Sequence, residues 1–153
     1  MSEQLDAITL GTAAPIFRVA DLRASVDYYV QTLGFTVDWN GGMIASVSRD
    51  RCCIFLCEED QGHPGAWTWI GVGDAGALCD ELRARGAKIR HPPTNYWWAY
   101  EMQVEDLDGN VLRLGSDPRK DEPVGEWLDM HGGRWAMTSA GETGGRWKRV
   151  GSE

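Results

Sequence analysis

Apolar and polar positions alternate along this chain in two stretches that follow one plan. In the first, Leu22, Val26, Tyr29 and Leu33 recur at the spacing of one helix stripe, with Asp21 before them and Gly34 after them. In the second, Leu78, Cys79 and Leu82 lie between Asp74 and Gly86 in the same way. An aspartate ahead of a first turn can accept a hydrogen bond from a free backbone N–H, and a glycine after the last turn can adopt the left-handed conformation that ends a helix. Each stretch therefore predicts a short helix that buries a single stripe.

Strand patterns surround both helices. "PIFRVAD" precedes the first helix, and "FTVDW", "MIASVSR" and "CCIFLCE" follow it, with Gly41-Gly42 turning the chain between the first two. "AWTWIGVG" precedes the second, and "AKIRH", "WWAYEMQVE" and "NVLRLG" follow, with Asp108-Gly109 turning the last pair. The order strand, helix, strand, strand, strand occurs twice, so the chain repeats itself. The expected fold class is α+β: two tandem βαβββ modules, at about residues 14–65 and 66–116, within a domain spanning residues 1–116. Residues 117–153 form a C-terminal extension. It carries Trp127, Trp135 and Trp147, more tryptophan than a disordered tail holds, and its apolar part "EWLDMHGGRWAM" is expected to dock on the domain or on a partner copy.

At 153 residues the chain suits one domain with an appendage. Its 23 acidic and 15 basic side chains give a net charge of -8, which disfavours nucleic acid and anionic membranes and favours cationic partners. No run approaches the roughly 18 apolar residues of a membrane span, and the start "MSEQLDAITLG" lacks a basic segment leading into an apolar one, so a cytoplasmic location is expected. Cys52, Cys53, Cys57 and Cys79 have no paired zinc-ligand spacing and read as buried thiols. His63, His91 and His131 are not spaced to converge on a metal. No nucleophile elbow, phosphate loop or dinucleotide fingerprint is present, and the pairs Gly41-Gly42, Gly132-Gly133 and Gly144-Gly145 lack the flanks such loops need.

Two stretches, "PIFRVADLRASVDYYVQTLGF" and "EMQVEDLDGNVLRLG", carry a family resemblance. From about Ala14 to Asp117 the chain resembles the vicinal oxygen chelate superfamily, which includes glyoxalases, extradiol dioxygenases, fosfomycin-resistance enzymes and bleomycin-resistance proteins. Leu107 stands where the family usually has proline, while Asp108-Gly109-Asn110 keeps the turn. The resemblance implies mixed sheets curled around a cup. It also places the usual metal ligands at Ala14, Trp67 and Arg113, none of which offers a suitable lone pair. Their neighbours Pro15, Ile16, Ala66, Thr68, Leu112 and Leu114 do no better. No metal, cofactor or catalytic residue is therefore expected. The nearest branch is that of the metal-free bleomycin-resistance proteins, homodimers that sequester an antibiotic in grooves at the subunit interface. A lyase, isomerase or dioxygenase with a rearranged metal site is the alternative.

The aromatic residues supply the candidate ligand-binding set. In "NYWWAYE", a strand would direct Trp97 and Glu101 to one face and Trp98 and Tyr100 to the other. Trp67 and Trp69 are two apart and share a face, and Trp39 is a rim candidate. Arg113 would project into the same cup, where it opposes a cationic ligand unless a carboxylate such as Glu101 pairs with it. Stacking on several indoles suits planar, positively charged ligands.

Overall fold

The computed structural model describes residues 4–139 and 146–151, so the Gly144-Gly145 pair lies outside the described residues. The first module comprises β1 (Ile16–Arg18), α1 (Leu22–Asp27), β2 (Thr36–Asn40), β3 (Ile44–Arg49) and β4 (Cys52–Cys57). The second comprises β5 (Trp67–Gly71), α2 (Ala75–Ala84), β6 (Lys88–Asn95), β7 (Tyr100–Glu105) and β8 (Val111–Ser116). Each module forms a four-stranded sheet, ordered β1-β4-β3-β2 and β5-β8-β7-β6, with the first strand parallel to the last and the other pairs antiparallel. The βαβββ plan read from the pattern is thus present twice.

Both helix caps form as the sequence implies. The Asp21 carboxylate accepts from the Ala24 N–H at 2.9 Å and that of Asp74 from Ala77 at 3.0 Å, while Gly34 and Gly86 take φ of 78° and 82°. The first helix departs from a regular continuation. Over Tyr28–Thr32 it widens into a π turn, where the Leu33 N–H reaches back to the Tyr28 carbonyl at 3.1 Å. The widening keeps Tyr29 and Leu33 both buried in the core.

The helices cover one face of each sheet. Phe17, Leu56, Ala45, Val47 and Ile54 point inward from the first sheet, and Leu112, Leu114, Met102 and Val104 from the second, to form one shared core. Polar ties add to it. Asp106 accepts from the Tyr29 hydroxyl at 3.0 Å and from the Asn110 amide at 2.9 Å, and the Asn110 amide also donates to the Arg18 carbonyl at 3.0 Å. Burial pushes the Asp106 carboxyl above the usual range, although these hydrogen bonds oppose that rise. Arg49 of β3 forms a two-pronged pair with Glu81 of α2, at 2.8 and 3.1 Å.

After β8 the chain turns back over the second module. The Asn95 side chain clamps this return, donating to the carbonyls of Arg119 and Glu122 at 2.8 and 2.9 Å and accepting from the Arg119 N–H at 2.8 Å. A third sheet follows, ordered β11-β10-β9, built from β9 (Trp127–Leu128), β10 (Arg134–Ser139) and β11 (Arg146–Arg149). Its first turn is closed by Asp129, whose carboxylate accepts from the N–H groups of His131 and Gly133 and from the Trp135 indole at 2.7–2.9 Å. A Cβ on Gly133 would come within 2.5 Å of that carboxylate, so a larger residue there would push the capping side chain aside.

Candidate ligand-binding faces

The face of each sheet turned away from the helices is set by strand register. On the first sheet, Ile16, Phe55, Ser46 and Trp39 stand in a row across β1, β4, β3 and β2. Trp39 is 45 % exposed and leans on Phe55 with ring centroids 5.4 Å apart. Beside it Asp38 accepts from the hydroxyls of Ser46 and Ser48 at 2.7 and 2.5 Å.

On the second sheet the equivalent row is Trp69, Arg113 and Gln103, with Gly71, Gly115 and Glu101 in the next row on the same face. Glycine at 115 decides the geometry there, because a Cβ would lie 3.1 Å from the Trp69 indole nitrogen and 3.2 Å from the Glu101 Cβ. The Trp69 indole therefore lies across the strand and donates to Glu101 Oε2 at 2.9 Å, and Trp98 donates to the same oxygen at 3.1 Å. Glu101 Oε1 accepts from Arg113 Nε and a terminal nitrogen at 3.0 and 2.9 Å. The carboxylate is only 1 % exposed, yet four N–H groups satisfy it.

Around this centre the rings form a nest. Tyr96 and Trp98 stack at 4.6 Å and 2°, Trp97 meets Trp98 edge-on at 5.3 Å, and Trp127 of the extension lies 5.7–6.2 Å from Tyr96, Trp98 and Trp67. The guanidinium of Arg113 sits 4.9 Å from the Trp127 ring and that of Arg90 5.2 Å from Trp67. Burial raises the Tyr96 phenol above its ordinary range and lowers the imidazole of His91 at the sheet edge.

A model of the Glyoxalase/Bleomycin resistance protein/Dioxygenase superfamily matches residues 7–114. The chain belongs to that superfamily. Among solved structures it is similar to the bleomycin-binding protein of bleomycin-producing Streptomyces verticillus complexed with copper(II)-bleomycin, at 24 % identity and a TM-score of 0.61, covering 71 % of this chain and 98 % of that one. It is also similar to TnmS3, an antibiotic binding protein from Streptomyces sp. CB03234, at 26 % identity and a TM-score of 0.56, covering 72 % and 99 %. TioX from Micromonospora sp. ML1 shares 18 % identity at a TM-score of 0.61, covering 69 % and 98 %. Among curated proteins, no sequence matches the chain.

The resemblance implies that two of the superfamily's usual metal-ligand positions, Trp67 and Arg113, fall on this sheet, where an ion would be held. Here the residues do not fit one: Arg113 brings a cation to the place of a ligand, Trp67 packs on Arg90, and both oxygens of Glu101 are engaged by N–H donors. Among the described residues, no three His, Cys, Asp or Glu side chains converge as metal ligands would.

Trp67, Trp69, Trp98, Glu101 and Arg113 are brought together, with Trp97, 51 % exposed, at their edge. Two expectations are corrected. Trp97 and Trp98 precede β7 in the turn after β6, so strand alternation does not separate Trp98 from Glu101. Tyr100 does open β7 but points to the helix side, where it packs under Arg119, 3.8 Å from its guanidinium, and beside Gly76. Trp39 lies on the other sheet, apart from the cluster. Sequence reasoning missed Arg90 and Gln103. Alternation from Glu101 was the available signal for Gln103; Arg90 lies in a strand whose extension through Pro92-Pro93 hid its reach.

Proposed function

We propose that this protein binds and sequesters an aromatic, cationic small molecule of the bleomycin type, without a metal, in grooves between two copies of the chain, and so confers antibiotic resistance. The observation carrying this reading is the buried Glu101 carboxylate, which offsets the charge of Arg113 while holding the indoles of Trp69 and Trp98. With Arg113 compensated, the face no longer repels a cation, and the net charge of -8 favours one. The half-exposed rings of Trp39, Trp69 and Trp97 supply stacking surface, each contact worth about 0.5–1.5 kcal/mol beyond area burial. Relatives named for bleomycin binding and antibiotic binding share the fold, which supports the reading.

Titration of metal-free bleomycin into the purified protein, followed by tryptophan fluorescence and by sedimentation, tests the proposal. Saturable quenching near one drug per chain in a dimer, weakened at least tenfold by Trp39→Ala or Trp69→Ala, is the expected result. A flat titration sinks the bleomycin assignment, and a monomer at saturating drug sinks the shared groove.

A further inference from the structure

The second sheet's aromatic nest already has an occupant, supplied by the chain itself. Trp127 sits among Trp67, Tyr96 and Trp98 with Arg113 against its ring. The backbone on either side of Trp127 is held by hydrogen bonds from the same face. The Tyr96 hydroxyl donates to the Glu126 carbonyl at 2.9 Å, the Gln103 amide to the Leu128 carbonyl at 2.9 Å, and the Arg90 guanidinium to the Asp129 carbonyl. An aromatic ring is thus enclosed by rings while three donors read the carbonyl oxygens of Glu126, Leu128 and Asp129 along its backbone. Gln103 is buried, so its amide would be costly to leave without a partner.

We infer that the second sheet carries a recognition site for planar aromatic amides, in which the Glu126–Asp129 segment is a resident competitor that an incoming ligand must displace. The ligand class follows from the contacts. The box accepts an indole-sized ring, the donors demand carbonyl acceptors at its flanks, and the guanidiniums of Arg113 and Arg90 favour an electron-rich, uncharged ring at the deep position. A cationic group is left for the rim, where Trp69 and Trp97 are half exposed. The inference deepens the proposed function and rests on it in taking this face as the binding face.

The probe is N-acetyl-L-tryptophanamide, with indole as the ring without carbonyls, each titrated calorimetrically into the full chain. Asp129→Ala removes the acceptor that closes the β9-β10 turn and leaves the wall of the site unchanged; Trp127→Ala removes the occupying ring. Both variants are expected to bind N-acetyl-L-tryptophanamide at least tenfold more tightly than the native chain. In the Asp129→Ala background, Gln103→Leu is expected to reverse the gain for the amide. Hydrogen exchange at Leu128 and Asp129 of the native chain is expected to quicken as the amide saturates, with β7 and β8 unchanged. Equal affinity in native chain and variants, or an equal gain for indole, overturns the inference, the latter because it reveals an apolar hole rather than a recognition site. Bleomycin binding without faster exchange in the hairpin overturns displacement alone, whereas a flat bleomycin titration beside tight amide binding overturns the drug assignment alone.

Discussion

The two sheets share strand order, cap residues and helix placement, yet their outer faces differ. The first presents Trp39 and Asp38 to solvent, over a half-buried Phe55 and a buried Ser46. The second buries a carboxylate among two indoles and a guanidinium and is covered by the chain's own extension. The two modules therefore share the residues that build the frame and differ in those that line the faces. A frame depends on backbone caps and inward side chains, whereas a face depends on the alternate positions that the frame does not use.

The largest expected effect tests that contrast directly. Glu101→Ala strands the Arg113 guanidinium and two indole N–H groups, and breaking a buried pair costs about 3–5 kcal/mol. Since Arg113 keeps some access to water, urea denaturation should register the lower end of that range. Asp38→Ala on the open face removes the acceptor of the Ser46 and Ser48 hydroxyls, so it should cost about 1 kcal/mol, well below that. Similar costs for the two would erase the distinction between the faces.

Gly115→Val comes next. Its side chain would collide with the Trp69 indole and the Glu101 Cβ, and overpacking of this kind costs about 1–3 kcal/mol. Near-ultraviolet circular dichroism should also lose the signal of the immobilised indole; an unchanged spectrum with native stability would refute the placement of Trp69 across the strand.

Trp39→Ala sharpens the contrast from the other side. The ring rests on Phe55 at the surface, so stability should change by about 1 kcal/mol or less while drug-dependent quenching falls. Loss of several kcal/mol would mean that the first face is structural core.

The smallest effect concerns pH. Hydrogen bonds from the Trp135 indole and the Gly133 N–H hold the Asp129 carboxyl below the usual carboxylate range. Its folded pKa lies under its unfolded value, so the turn is stabilised above that unfolded value, near pH 4, and the contribution is lost as pH falls through the folded pKa. Exchange of the Trp135 indole proton should quicken below about pH 4, and Asp129→Asn should abolish that acid step. A native chain whose hairpin exchange is flat across this window would remove Asp129 from the account.

Much of the frame was legible in the chain. Asp21, Gly34, Asp74 and Gly86 marked the helix ends because capping is local chemistry that a short window contains. The face was legible only where alternation held. Trp67 and Trp69 share a face by their spacing, and Glu101 stands in the sequence as one carboxylate able to pair with Arg113, a pairing that the structure forms. Trp98 escaped that reasoning because it occupies the turn before β7, which begins three residues later than the apolar run suggests, whereas Tyr100 does face away from Glu101 as alternation requires. The seating of Trp127 depends on contacts with residues about 30 to 60 positions away, which no local pattern records.

The turn from Asp106 to Asn110 bears on how the chain reaches this shape. Its side chains bind Tyr29 and Arg18, which are 77 and 92 residues distant, so these bonds close only after most of the chain has collapsed. Closing such long loops costs entropy before any contact repays it, which slows folding relative to a protein built from local contacts. Neither repeat carries both halves of this latch, so a separated module would leave the buried tyrosine or the aspartate without its partner. The two copies are therefore expected to fold late, together and in one kinetic step, despite having the outward form of two independent units.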